Sequence, residues 1–450
     1  MKRLFGTNGV RGEVNLDMNV ELAVRLSKSI GTWLGGGTVA IGTDTRLSND
    51  MLKTAVSAGL MATGCNVVDL GEAPTPAIQM YTRDHTDLGI GITASHNPPQ
   101  FNGIKCVDSD GTELSGTKEE EIEKIYFDED FKLASWKDVG TMTLDDSVAP
   151  YNLSVINKVN RKKIAEKGLK IVVDCANGVG SLSTPVILRE LGCRVITLNA
   201  QPDGTFPGHD SEPTEANLKD LIEMVKNTGA DLGIANDGDA DRAIFIDDKG
   251  NFMHGDKTLT LMAKNVVIKN GGGVVVTPVS SSSSVKDVVE EEGGKLVYTA
   301  VGSPIVAREM LKLKAVFGGE ENGGLIFSDH QYCRDAAMTA ARIVELVALD
   351  GPISSLLADL PAYSLNKQGF SCPKELKDLL MKELKEHYSD ENYDDTDGLK
   401  IYYKDGWVLI RPSGTEPKYR IYSEAKDDMT ASRLGKEHLS VALELLSNLR

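Results

Sequence analysis

The sequence predicts three similar α/β domains with mixed sheets, followed by a small C-terminal α+β domain. Three observations carry this. One strand–helix–glycine–strand pattern occurs three times, the tail changes character, and 450 residues exceed what one core can fill. Single hydrophobic cores stop growing at roughly 250–300 residues. Apolar residues make up 41% of the chain and charged residues 26%, so core material is ample.

The first occurrence joins a strand at 39–42, a helix around 49–63, Gly64-Cys65 and a strand at 67–70. The second joins 169–174, a helix around 182–191, Gly192-Cys193 and 195–198. The third joins 274–277, a helix around 284–292, Gly293-Gly294 and 296–299. Glycine at a helix end takes the left-handed conformation that stops the helix. Each unit reads as βαβ, which implies sheets that are at least partly parallel and covered by helices. A spacing of about a hundred residues suits separate domains rather than a solenoid. In the tail, 399–403 and 407–411 read as a hairpin whose turn carries Asp405-Gly406. A third strand at 419–423 and an amphipathic helix at 431–446 follow, while 386–398 is acidic and reads as loop. The expected domains are 1–150, 151–254, 255–367 and 368–450. Five serines at 280–284 sit between a strand and a helix and read as a polar turn ending in an N-cap.

A net charge of −17 argues against nonspecific nucleic-acid binding, which needs Lys and Arg to displace counterions. It leaves open an anionic small substrate, because a few local cations override the global field. The six cysteines include no C-x-x-C pair and several lie beside apolar or small residues, as expected of core thiols in a reducing compartment. The opening MKRLFGTNGVRG has no apolar signal region, and no run reaches the roughly 18 apolar residues of a membrane span. A cytoplasmic protein without membrane contact is expected.

Four segments carry candidate chemistry. In Thr93-Ala94-Ser95-His96-Asn97-Pro98-Pro99 an apolar strand delivers a serine to a loop that two prolines keep from becoming a helix. With His96 beside it and Lys105 downstream, Ser95 could serve as a nucleophile near cations. A capping serine in an Asn-Pro turn has the same local pattern. Asp237-Gly238-Asp239-Ala240-Asp241-Arg242 follows the strand 232–235. Alternating carboxylates on an extended loop point one way and can converge on a hard cation, and three like charges would repel strongly without one. An EF-hand is disfavoured, since its sixth position requires Gly and here holds Arg242. Three carboxylates leave room for a phosphate oxygen on Mg²⁺, which suits phosphoryl transfer. Arg411-Pro412-Ser413-Gly414-Thr415-Glu416-Pro417, with Arg420 beyond, combines exposed amides, hydroxyls and two guanidinium forks suited to a phosphate; a plain turn between two strands is the competing reading. Gly318-Gly319-Glu320-Glu321-Asn322-Gly323-Gly324 offers carboxylate and amide groups suited to sugar hydroxyls, or to solvent alone. Two glycine patterns, 89–94 and 178–183, match dinucleotide fingerprints poorly.

Taken together and in order, TNGVRG, TASHNPP…NGIK, DGDADR, GEENGG and RPSGTEP resemble the α-D-phosphohexomutases, the family of phosphoglucomutase, phosphomannomutase and phosphoglucosamine mutase. The resemblance spans nearly the whole chain. It implies four domains around a central cleft: the first with a phosphoserine loop, the second with a metal loop, the third with a sugar-binding loop, the fourth with a phosphate-binding loop. It implies that Ser95 carries the phosphoryl group and that one Mg²⁺ is held by Asp237, Asp239, Asp241 and a phosphate oxygen on Ser95. Arg11, Lys105 and Arg242 match cationic positions around the transferring group, with His96 a further catalytic candidate. Glu320 and Asn322 match the sugar loop, and Gly302 joins this substrate-binding set. Arg411, Ser413, Gly414, Thr415 and Arg420 match the loop that holds the other phosphate. The activity implied is interconversion of hexose 6-phosphate and 1-phosphate through a sugar bisphosphate, with glucosamine phosphate ahead of mannose or glucose phosphate, in a monomer or homodimer. Two departures stand out. Asn322 and Gly324 occupy places where many members have Ser and His, and GEENGG is similar to archaeal members. Cys333-Arg334-Asp335-Ala336 replaces a more usual Gly-Arg-Asp-Gly. The competing functions are a nucleotide-binding oxidoreductase using 178–183 and a sugar-phosphate-binding protein without transfer.

Overall fold

The computed structural model describes residues 3–6, 8–413 and 417–449. The chain divides into two compact units, Met1–Met262 with Glu321–Asp359, and Ala263–Glu320 with Leu360–Arg450.

In the first unit, strands β1 (Val10–Glu13), β2 (Gly37–Thr43), β3 (Cys65–Glu72), β4 (Leu88–Ile92), β5 (Phe101–Asp108) and β6 (Met142–Leu144) form one sheet in the order β1-β5-β4-β2-β3-β6. The central pairs β4–β2 and β2–β3 are parallel, while β5 runs antiparallel to both β4 and β1. Side-chain alternation explains how both faces are covered. Val39 and Ile41 point to the face packed by the helices Val20–Leu34 and Asn49–Ala62, and Ala40 points to the face covered by Ile78 and Tyr81 of Thr75–His85. The first helix starts where Asn19 Oδ1 accepts from Leu22 N at 2.9 Å and stops at left-handed Gly35.

A second sheet follows with β7 (Lys170–Asp174), β8 (Arg194–Leu198), β9 (Leu232–Asn236), β10 (Ala243–Ile246) and β11 (Phe252–Met253), in the order β11-β10-β9-β7-β8. Here β7 is parallel to β8 and β9, and β10 is antiparallel to β9. In the second unit β12 (Gly273–Pro278) pairs in parallel with β13 (Gly294–Thr299) and β14 (Phe317–Gly319). The serine run ends as expected, with Ser282 Oγ accepting from Ser284 N at the start of the helix Ser283–Glu291. Strand β15 (Leu325–Phe327) and the helix Ala336–Asp350 return to the first unit.

The tail is an antiparallel sheet of β16 (Ser364–Ser371), β17 (Tyr393–Asp394), β18 (Leu399–Tyr403), β19 (Gly406–Pro412) and β20 (Lys418–Ala425), ordered β16-β20-β19-β18-β17. Leu399, Ile401, Val408, Ile410 and Ile421 share one face with Leu434, Ala442 and Leu446 of the helix Asp428–Asn448. Trp407, Leu409 and Tyr422 line the other face. The sequence did not reveal β16 or β17. Both are edge strands defined by pairing with β20 and β18, and neither carries a run of alternating apolar residues. β16 runs across residue 367.

The hairpin differs from expectation by one residue. Lys404-Asp405 form the turn, and Gly406 opens β19 opposite Tyr403. Neither turn residue has positive φ, so this is not the turn that Asp-Gly favours. The glycine is needed elsewhere. It also faces β20, where a Cβ would collide with the Glu424 carbonyl oxygen. Gly406→Ala is therefore expected to destabilise the fold by about 1–3 kcal/mol, whereas Asp405→Ala changes it by less than about 0.5 kcal/mol. Urea unfolding of the two variants measures this.

Candidate active site

In parallel sheets, ligands collect beyond the carboxyl ends of strands where the strand order reverses direction. The first sheet reverses between β2 and β4, the second between β7 and β9. Ser95 lies just past β4, and Asp237 just past β9. The two ends meet: Ser95 Oγ donates to Asp237 Oδ2 at 2.8 Å.

The serine loop is closed by its own backbone hydrogen bonds, and Ser95 within it is buried. Asn97 N donates to Ala94 O at 3.1 Å, and Phe101 N to Pro98 O at 3.0 Å. Ser95 is 2% exposed and has φ +53°, a left-handed conformation that costs a non-glycine residue about 1–3 kcal/mol. Its carbonyl oxygen accepts from Ser211 Oγ at 3.4 Å.

The carboxylates converge by a different route from the expected extended alternation. The loop doubles back tightly. Ala240 N donates to Asp237 O at 3.2 Å with Ala240 at φ +56°, and Arg242 N closes onto Asp237 Oδ1 at 3.1 Å. One oxygen from each of Asp237, Asp239 and Asp241 lies within 4.8 Å of the others. At an effective dielectric near 20, such pairs repel by about 3 kcal/mol each, too much to leave unbalanced. The protein supplies the balance itself. Lys105 Nζ lies 2.5 Å from Asp239 Oδ2 and 3.7 Å from Asp241 Oδ2. Arg242 Nε lies 3.0 Å from Asp237 Oδ2, and Arg334 Nη2 2.5 Å from Asp241 Oδ2. Burial pushes the Asp237 carboxyl up, to about 7, against the pull of Arg242. Burial also acts upward on Asp239, but Lys105 overrides it and holds that carboxyl well below the usual range.

The acidic cluster retains capacity for a metal. Asp239 Oδ1 and Asp241 Oδ1 are buried without a hydrogen-bond partner among the described residues. Hard oxygen donors of this kind fit a divalent cation such as Mg²⁺.

The other nominated residues of this region come together here. Arg11, on β1, donates to Ala94 O at 3.3 Å and Asn97 Oδ1 at 3.0 Å. His96 Nδ1 lies 3.4 Å from Ser95 Oγ and 3.5 Å from Glu212 Oε2. Burial, then Arg242, pushes this half-exposed ring below the ordinary imidazole value, so it is neutral at pH 7.

Several site residues escaped the sequence reading. Glu212 grips Arg242 with both oxygens, at 3.0 and 3.1 Å. Thr75 Oγ1 donates to Asp239 Oδ2 at 2.9 Å. Arg334 had a signal, since it belongs to the Cys333–Ala336 departure. Its neighbour Asp335 is buried, accepts from Tyr151 OH at 2.5 Å and caps the helix Ala336–Asp350, whose first amide reaches Ala240 O of the acidic loop. The glycines at 178 and 180 serve packing rather than a nucleotide: Val179 N donates to Gly238 O at 3.3 Å, and a Cβ on Gly178 would lie 2.5 Å from that oxygen.

Family models for phosphoglucomutase/phosphomannomutase match throughout: α/β/α domain I at 2–133, domain II at 149–250, domain III at 254–363 and the C-terminal domain at 371–439. A phosphoglucomutase/phosphomannomutase of Thermococcus kodakarensis is 45% identical over 99% of each chain. The chain belongs to the phosphoglucomutase/phosphomannomutase family. A phosphoglucosamine/phosphogalactosamine mutase of Sulfurisphaera tokodaii is 42% identical, covering 97% of this chain and 98% of that one. The crystal structure of a family protein from Burkholderia thailandensis superposes with a TM-score of 0.89 at 28% identity, over 99% and 97% of the two chains.

Within this phosphohexomutase chain the remaining nominated residues are distributed as follows. Asn322 is in the first unit, its Oδ1 accepting from Gly324 N at 3.0 Å. In the second unit, Gly302 N donates to Glu320 Oε1 at 3.1 Å, so two substrate candidates touch. Arg411 and Arg420 face each other across β19 and β20, with Asp397 2.8 Å from Arg411 Nη2. Ser413 is buried just past β19, its carbonyl oxygen accepting from Lys377 Nζ at 2.5 Å. Gly414 and Thr415 lie outside the described residues. All six cysteines are free and buried, and no described helix is long and apolar enough to cross a membrane.

The segment carrying Ser211 and Glu212 is anchored by His209, whose Nε2 lies 3.2 Å from Asp174 Oδ2 at the end of β7. Burial lowers the His209 pKa, but Asp174 overrides this and raises it above 6.5. The stabilisation is therefore complete below pH 6.5 and is lost as pH rises through the higher folded-state value. The Asp174 carboxyl is depressed, so its share is complete above the ordinary carboxylate value of 3.8 and is lost as pH falls through the lowered one. His209→Gln is expected to lower Tm at pH 6 and to converge toward the parent as pH rises past the raised folded-state value, as thermal melts across pH record.

Proposed function

We propose that this chain is a phosphohexomutase that moves a phosphoryl group between O6 and O1 of a hexose phosphate, with Ser95 as carrier and glucosamine 6-phosphate as leading substrate. The observation that carries the reading is the 2.8 Å contact between Ser95 Oγ and Asp237, inside a ring of Lys105, Arg11, Arg242 and Arg334.

Phosphoryl transfer is mainly positioning and charge neutralisation, which this ring supplies. In the forward half-reaction the phosphoserine P–O bond breaks as a P–O bond forms to a sugar hydroxyl. That hydroxyl loses its proton and Ser95 Oγ gains one, giving a sugar bisphosphate. The second half-reaction reverses these changes at the other end of the sugar. The neutral His96 ring beside Ser95 Oγ is a group able to take or return such a proton. Asp237, Asp239, Asp241 and a phosphate oxygen on Ser95 would hold Mg²⁺, which supplies positive charge to the oxygens of the transferring group. Glu320 and Gly302 of the second unit, and separately Asn322 of the first, are the candidates for reading sugar hydroxyls. Arg411 and Arg420, opposite each other across β19 and β20, with Ser413, Gly414 and Thr415 would hold the phosphate that is not transferred.

Glucosamine is favoured by the GEENGG form and by the name of the Sulfurisphaera relative; the Thermococcus relative's name supports a glucose or mannose phosphate as second reading. Turnover of the three hexose 6-phosphates ranks them, and equal kcat/KM on mannose 6-phosphate would remove the glucosamine preference. Intact-mass measurement of fresh protein should find one phosphoryl group on Ser95 in part of the sample. Ser95→Ala should lower turnover at least about 10⁴-fold; full activity would refute the carrier role and a folded, inactive parent would favour a binding protein. Asp239→Asn should weaken Mg²⁺ binding measured by calorimetry.

A further inference from the structure

We propose that Arg46, with Asp44, is a positioning residue that fixes the backbone of Ser95 for in-line transfer; the proposal rests on Ser95 being the carrier. Asp44 and Arg46 follow β2, beside the strand that delivers Ser95. The Arg46 side chain is fully buried, and all five of its N–H donors are engaged. Nε donates to Asp44 Oδ2 at 3.0 Å. Nη1 donates to the carbonyl oxygens of Pro98 at 2.7 Å and Phe101 at 2.8 Å. Nη2 donates to those of Ser95 at 3.0 Å and Asn97 at 2.6 Å. Four of the five bonds thus end on the serine loop and the first residue of β5.

Asp44 holds the other side of the same residue. Its Oδ2 accepts from Thr93 Oγ1 at 2.6 Å, and that oxygen accepts from Ser95 N at 2.8 Å. The N–H and the C=O of Ser95 therefore both lead to the Asp44–Arg46 pair. Asp44 is itself fixed by Arg46 N and Asn49 Nδ2, both at 2.9 Å from its Oδ1, and Phe206 covers the guanidinium carbon at 5.0 Å. Holding both peptide planes sets φ at +53°, and with it the direction in which Oγ leaves the backbone. This pair touches no reacting atom in the geometry described, so its effect on transfer is through Ser95.

Lysine keeps the charge but has three donors from one point and no planar fork, so it cannot bridge four carbonyls. Misplacement of a reacting atom by about 1 Å can cost on the order of 100-fold in rate. The test uses the full chain as wild type, Arg46→Lys, Thr93→Ala and Ser95→Ala. Turnover of glucosamine 6-phosphate with glucose 1,6-bisphosphate as activator is measured, together with the rate of phosphoryl loading from that bisphosphate by intact mass and a thermal melt. In Arg46→Lys, kcat and loading rate should both fall roughly 10- to 100-fold with KM nearly unchanged, and Thr93→Ala should move both in the same direction. If the clamp only supports the fold, Tm falls while kcat per folded molecule and loading stay at wild-type values, and the proposal is overturned; a rise in KM alone overturns it too. Should Arg46→Lys not fold, wild-type kcat in folded Thr93→Ala is the overturning result. Ser95→Ala separates the two claims. Activity there defeats the carrier reading, whereas an inactive Ser95→Ala with a fully active Arg46→Lys defeats the clamp alone.

Discussion

The hydrogen bond from Ser95 Oγ to Asp237 Oδ2 joins residues 142 positions apart, and the architecture of the first unit is arranged to make it. Each partner follows a buried parallel strand at the point where its sheet's order reverses. Such positions project loop residues beyond the sheet while the strands beneath stay rigid. Rigidity matters because both loops adopt costly backbone conformations, with Ser95 and Ala240 left-handed. The bracing is dense: the helix Thr75–His85 donates its first amide to Asp239 O, and the Cys175–Gly180 turn packs on Gly238.

Electrostatics then decides what this junction can do. Four carboxylates, Asp237, Asp239, Asp241 and Glu212, face Lys105, Arg242, Arg334 and Arg11. In a buried site such charges are tolerated only when paired. The pairing here is extensive, yet buried oxygens of Asp239 and Asp241 remain without hydrogen bonds among the described residues. A phosphoryl group entering the region meets cations already held in place, and little reorganisation is required of the protein.

The second unit solves a related problem differently. Lys400 is buried in the C-terminal sheet, its ammonium 3.9 Å from the Trp407 ring centre and donating to Val279 O at 2.7 Å. There a cation is absorbed by aromatic faces and a carbonyl. Arg411 and Arg420 instead sit opposite each other on neighbouring strands, with Asp397 2.8 Å from Arg411 Nη2.

What the sequence determined by itself was whatever depends on local pattern. The βαβ units, their glycine stops, the serine turn at 280–284 and the acidic loop follow from periodicity, capping and residue type over a few positions. Motifs in one order sufficed for the family. Only the tertiary structure decided what depends on partners distant in the chain. Gly406 looked like a turn residue because its clash is with Glu424 on another strand. The edge strands β16 and β17 exist through pairing. Asp237, Asp239 and Asp241 converge through a turn closed by Arg242 rather than through extended alternation. Arg46, Glu212 and Thr75 have no local signature of function, because what defines them is a set of carbonyls and carboxylates delivered by other loops.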